Sequence, residues 1–156
     1  MIRAIAPNDT SALLSLAEAT GLFRPEHIGE LAHMLAAHFE DINDSSGIWL
    51  TDDERDLVGV AYFAPERMTE GTWNLYLIAI YPKYQKRGRG TALLAQIEKM
   101  LVERGERILL VETSGLESFK YVRDFYHKCG FEEEARIRDF YQVGEDKIVF
   151  RKVLVT

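Results

Sequence analysis

The sequence predicts a mixed α/β domain, and three observations carry that expectation. Two apolar stretches, Thr72–Tyr81 and Arg107–Thr113, flank a segment with helical apolar spacing, the pattern of a strand–helix–strand crossover. Two helix-periodic segments occupy the first forty residues. Two long β-type segments, parted by Gly144-Glu145-Asp146, close the chain.

Each element has a local reason. Ile2–Ile5 reads as a short strand. Asn8 or Asp9 can cap a helix carrying Leu13, Leu14 and Leu16, and Gly21 ends it. Pro25 suits the first turn of a second helix with Ile28, Leu31, Leu35 and Phe39 on one face. Asp41–Gly47 is a run of turn formers and reads as a loop. Ile48–Thr51 and Leu57–Phe63 pair as a hairpin around Asp52–Asp56. Thr72–Tyr81 is rich in aromatic and branched residues and stops at Pro82. A helix opens near Gly90, buries Leu93, Leu94, Ile97 and Leu101, and ends at Gly105. Ile108-Leu109-Leu110-Val111 is a continuous apolar run, as in a strand covered on both faces. Ser118–Cys129 is helical, with Gly130 as its stop. Phe131–Val143 and Lys147–Val155 complete the set, with Glu132-Glu133-Glu134 on an exposed strand edge.

Composition bounds the function. At 156 residues, 47% hydrophobic and 28% charged, the chain reads as one globular domain over 1–156. No run approaches the ~20 apolar residues of a membrane span, so no membrane partner is expected. The first nine residues turn polar too soon for a secretory signal, and Cys129 is the only cysteine; a cytoplasmic setting without disulfides follows. A net charge of −6 argues against a nucleic-acid partner. The histidines offer no metal spacing: His33 and His38 lie five apart, off a shared helical face, so no metal is expected.

The charge is uneven. Pro82–Arg107 holds seven basic and three acidic residues, so this window is +4 and the remainder −10. Four of the cations fall between Lys83 and Arg89 with no acid among them. Such a cluster usually means a solvated basic turn. Here it coincides with Gln85-Lys86-Arg87-Gly88-Arg89-Gly90, between a strong strand and an amphipathic helix. Glycines there let the backbone approach a ligand, and a helix N-terminus with free amides favours phosphate.

The familiar phosphate loops do not fit. A P-loop needs Lys before Ser or Thr, whereas Thr91 follows Gly90 directly. A dinucleotide fingerprint needs a small residue where Leu93 stands, which also discounts Glu112 as a ribose-binding acid. No kinase catalytic loop follows. The loop instead resembles the acyl-CoA motif Gln/Arg-x-x-Gly-x-Gly/Ala of the GNAT superfamily of N-acetyltransferases. Phe125-Tyr126-His127-Lys128-Cys129-Gly130-Phe131 is similar to that family's Phe-Tyr-x-x-x-Gly-Phe.

The resemblance implies a mostly antiparallel sheet, a βαβ crossover and a cleft where the strand before the loop bulges and splays from its neighbour. It implies acetyl-CoA as co-substrate. Lys86, Arg87, Gly88, Arg89, Gly90 and Thr91 would cradle the pyrophosphate through backbone amides, the Lys and Arg side chains adding charge-assisted hydrogen bonds, with Gln85 at the first motif position. Ile78 and Ile80 would offer backbone groups to the pantetheine arm. Tyr126 would be the general acid that reprotonates the CoA thiolate. Where many members carry a Glu on the strand before the loop, this chain has Asn74. Glu112 is then the nearest candidate base, while Asn74 and Tyr76 would position substrate. Lys120 replaces an Asn common in the family. His27, His33, Met34 and Tyr141 would border the acceptor pocket. Cys129 has no His or acid arranged around it in sequence and reads as a buried structural thiol.

The implied activity is transfer of an acetyl group to a primary amine of a small molecule, by direct attack in a ternary complex. Two other readings stand beside it: an acetyltransferase for protein N-termini or lysines, and a non-catalytic acyl-CoA sensor, which Asn74 favours and Tyr126 opposes. A homodimer is left open.

Overall fold

The computed structural model describes residues 1–21, 23–40 and 47–154. Its strands are β1 (Ile2–Ala4), β2 (Ile48–Glu54), β3 (Asp56–Pro65), β4 (Thr72–Ile80), β5 (Ile108–Ser114), β6 (Glu132–Gln142) and β7 (Glu145–Val153). Its helices are α1 (Thr10–Thr20), α2 (Pro25–Glu40), α3 (Arg89–Glu103) and α4 (Lys120–Lys128). The seven strands run in the order β1-β2-β3-β4-β5-β7-β6. β4 and β5 are parallel, Thr72–Leu75 against Ile108–Val111, as a crossover through α3 requires. The β1–β2, β2–β3, β5–β7 and β6–β7 pairs are antiparallel.

Two compact units divide the chain: Met1–Ala64 with Leu77–Gln96, and Pro65–Tyr76 with Ile97–Thr156. In the first, Leu13, Leu16 and Ala17 of α1 and Leu31 and Leu35 of α2 bury against Trp49, Val60, Leu77 and Ala79. The Trp49 and Tyr62 rings stack at 4.5 Å. Burying a side chain of this size contributes about 1.5–3 kcal/mol, more than a typical helix cap at about 1 kcal/mol. In the second unit Trp73, Leu75, Leu109, Val111, Phe131, Ile148 and Phe150 are buried.

Local differences from the sequence expectation have physical causes. Asp9 does not cap α1 with its side chain. Its carboxylate instead takes both Arg3 Nη1 (2.8 Å) and Nη2 (3.0 Å) and the Ala6 N–H (2.7 Å). The ion pair wins because Asp9 is buried and a charged partner satisfies it better than one amide. The β2–β3 strands run closer to their turn than expected, with a register shift at Asp52/Asp53 and the single connecting residue, Arg55, at positive φ (83°). The β6–β7 turn sits at Val143-Gly144, because Gln142 already pairs with Glu145. The end of α4 does close at Gly130 (φ 89°), where the Phe131 N–H reaches the Tyr126 carbonyl. Glu132–Glu134 lie on the sheet edge, exposed as expected. The loop expected at 41–47 lies outside the described residues except for Gly47.

Candidate active site

In the first unit, β4 leads through Pro82 into the glycine loop. Leu77 and Ala79 point into the core, while Ile78 and Ile80 on the opposite face are half-buried. The Gln85 side chain donates Nε2 to the Ile80 carbonyl (2.9 Å), tying the loop back to the strand end. Gln85 is thus occupied as a brace. Lys86 (φ 62°) and Gly88 (φ 77°) both adopt left-handed backbone, which turns successive N–H groups outward. No acceptor among the described residues takes the N–H of any residue from Lys86 to Thr91, while Ala92 N–H begins the helical ladder on the Gly88 carbonyl. Six consecutive amides at the positive end of a fifteen-residue helix make an anion seat.

The side chains of this loop behave differently from one another. Arg89, expected toward the pyrophosphate, donates Nη1 to Asp52 Oδ2 (3.1 Å) and Glu54 Oε1 (2.8 Å). Asp52 is buried and also meets the amino-terminal ammonium at 3.3 Å. The Arg89 guanidinium, and after it that ammonium, holds the Glu54 carboxyl below its ordinary range. Arg89 therefore braces the start of α3 and offers the loop only its backbone. Lys86 and Arg87 remain exposed, with Arg87 5.7 Å from the Tyr84 ring.

In the second unit a polar cluster gathers around Asn74, which is 2% exposed. Asn74 Nδ2 donates to Glu66 Oε1 (2.9 Å) and to Glu112 Oε2 (3.2 Å). The Tyr76 hydroxyl donates to Glu66 Oε1 (3.1 Å), leaving its ring exposed. Lys147 Nζ lies 3.0 Å from Glu112 Oε1 and 4.2 Å from the Phe140 ring centroid. Burial first, then Glu112 and Glu145, push the Tyr141 phenol up to about 12. The structure thus brings Asn74, Tyr76, Glu112 and Tyr141 into one neighbourhood. It adds Glu66 and Lys147, which the sequence reading missed. No sequence signal marked Glu66: its N–H bonds the Thr72 carbonyl (2.8 Å), a pairing that only the folded β3–β4 connection makes.

Tyr126 is placed by α4, itself anchored where Arg123 Nη1 reaches the carbonyls of Ser114 (2.7 Å) and Leu116 (2.9 Å). Its ring packs on Phe131 (5.6 Å) and Phe150 (5.7 Å) and is 3% exposed. Burial, with a smaller push from Cys129, raises the phenol above its ordinary value, so it stays protonated at neutral pH. Cys129 is half-buried rather than buried. His27, His33 and Met34 are exposed on α2. Among the described residues no three His, Cys, Asp or Glu side chains group as a metal site, and no helix is long and apolar enough to cross a membrane.

A crossover that opens onto a helix-start anion seat, within a seven-stranded, mostly antiparallel sheet, defines an acetyltransferase fold. The model of the acetyltransferase (GNAT) family matches residues 16–131, and the chain belongs to that family. A Desulfovibrio desulfuricans protein described as a GNAT-family acetyltransferase is 32% identical, with a TM-score of 0.94 over 99% of each chain. An aminoglycoside 6'-N-acetyltransferase solved with coenzyme A shares the fold at 20% identity and TM-score 0.80, covering 100% of this chain and 98% of that one. So does the ribosomal-protein-S18-alanine N-acetyltransferase of Escherichia coli, at 20% identity and TM-score 0.74, covering 100% and 94%. No curated relative matches the sequence.

Proposed function

We propose that residues 1–156 form a single cytoplasmic domain that transfers acetyl from acetyl-CoA to a primary amine of a small molecule. The observation that carries this is the run of six unclaimed amides from Lys86 to Thr91 at the start of α3. A pyrophosphate supplies the acceptors they lack, and exposed Lys86 and Arg87 add charge. The backbone of Ile78 and Ile80 would receive the pantetheine arm as an added strand.

The amine nitrogen attacks the thioester carbonyl, and the C–S bond then breaks to release the thiolate. Tyr126 hands its proton to that sulfur, which avoids a free charged leaving group. Glu112 accepts the proton that the amine sheds, held in place by Asn74 and Lys147. Asn74 itself cannot take a proton, and its amide orients the carboxylates. That substitution is also what supports a sensor without turnover. The aminoglycoside enzyme and the ribosomal-protein enzyme illustrate a small-molecule and a protein acceptor on this fold. The polar cluster gathered around buried Asn74 favours the small one.

The test is thiol release from acetyl-CoA across amines, aminoglycosides, polyamines, amino acids and peptides. Release with a small amine is expected. Release with peptides alone would transfer the assignment to a protein modifier. CoA binding without release for any acceptor would leave the sensor.

A further inference from the structure

The Asn74 cluster holds two carboxylates and one cation, and the imbalance is localised. Glu112 is neutralised by Lys147 at 3.0 Å. Glu66 has no cation within ion-pair distance among the described residues. Its partners are neutral donors, Asn74 Nδ2 and the Tyr76 hydroxyl, and both engage Oε1. Oε2 of Glu66 is left with no protein donor among the described residues.

A second, independent observation points the same way. Asn74 Oδ1 is the one buried side-chain polar atom among the described residues without a partner. The amide cannot be turned to relieve it, because Nδ2 must face Glu66 and Glu112; the reverse orientation would set an oxygen against two carboxylates. A buried acceptor left unmade costs free energy that an incoming N–H donor recovers. The cluster therefore carries one uncompensated negative charge beside one unsatisfied carbonyl.

We infer that Glu66 and the Asn74 carbonyl seat an ammonium group of the acceptor that is not itself acetylated, so that the substrate is a di- or polyamine. This rests on the acetyltransferase reading above. The attacking nitrogen must be neutral to use its lone pair, so a carboxylate that recognises lasting positive charge serves a different nitrogen. The exposed Tyr76 ring, fixed by its hydroxyl on Glu66, provides an apolar face for the carbons between the two amines. Glu66 is on this account a specificity-determining residue.

The test compares 1-aminobutane with the diamines from 1,3-diaminopropane to 1,6-diaminohexane, at saturating acetyl-CoA, in wild type and Glu66→Gln. Gln keeps an oxygen for Asn74 and Tyr76 and replaces the charged free oxygen by a neutral NH2, and thermal melting checks that the variant folds. In wild type the best diamine is expected to show a KM about tenfold or more below the monoamine, the scale of one charge-assisted contact. In Glu66→Gln that ratio should fall to about one, through KM. An unchanged ratio overturns the inference. So does an equal kcat loss for both amines, which would make Glu66 a proton acceptor. If wild type acetylates no amine, the functional reading fails on its own. The seat is then judged by calorimetry of the same diamines without acetyl-CoA: binding lost in Glu66→Gln supports it, and equal or absent binding overturns it.

Discussion

Replacing Gly88 by Asp and by Asn separates charge from bulk at the proposed pyrophosphate seat. Gly88 stands at φ 77°, and a Cβ built there meets nothing within 4 Å. Neither side chain therefore clashes, and the cost to the fold is the left-handed backbone, about 1–2 kcal/mol for most residues and less for Asn and Asp. The Asp carboxylate would even favour α3, since it adds negative charge at the helix start. Against a bound pyrophosphate the sign reverses. At about 5 Å and an effective dielectric of ~20, two unit charges repel by ~3 kcal/mol. That is a loss of roughly two hundred-fold in affinity. Asn, of the same shape, should lose less than about tenfold. Calorimetric titration with CoA on both folded variants reads the difference. Equal affinities for Asn and Asp would refute a pyrophosphate at this loop.

Tyr126→Phe keeps the packing on Phe131 and Phe150 and removes only the donor. Steady-state kinetics should show kcat down about 10²–10⁴-fold with the KM for acetyl-CoA little moved, and wild-type turnover would make the residue packing alone. Because burial raises this phenol, wild-type kcat should show no loss from its ionisation below about pH 10, the unperturbed value; an alkaline limb assigned to Tyr126 near neutrality would contradict the structure. Asp9→Asn should lower the melting temperature by about 4–8 °C at neutral pH, since it breaks charged hydrogen bonds to Arg3 together worth about 2 kcal/mol. Arg3 holds the Asp9 carboxyl below its ordinary value in the folded state, so this stability is complete above the unfolded pKa of ~4 and drains as pH falls below it. Melting curves from pH 7 to pH 3 should therefore converge for wild type and variant; parallel curves would show that Asp9 is not coupled to folding.

What could be read in the sequence was what local rules decide. The β4–loop–α3–β5 crossover follows from an apolar strand, a stop at Pro82 and a helical period that ends at Gly105. The close of α4 follows from Gly130, and the exposed edge from three consecutive glutamates. What escaped depends on side-chain partners that only the folded chain brings together. Arg89 looked like a ligand for phosphate because its neighbours are basic, yet Asp52 and Glu54, thirty-five or more residues away, claim its guanidinium. Asp9 looked like a cap because helix starts favour Asp, yet Arg3 offers a full charge. Glu66 carried no motif at all. Only the closing of the β3–β4 hairpin sets it beside Asn74, and hairpin register across a six-residue connection (66–71) has no fixed rule in sequence.

The six unclaimed amides of the loop are main-chain atoms, and every residue except proline carries one. Natural variation along Lys86–Thr91 is thereby constrained in an unusual currency. A mutational scan of this stretch should reject proline at every position and resist β-branched residues at the two left-handed turns, Lys86 and Gly88. It should be permissive toward ordinary side-chain changes at Arg87 and Thr91, whose identities alter the strength of the seat but not its shape. The loop would keep its trade through long divergence while its letters drift, and the heritable element there is a path of the backbone.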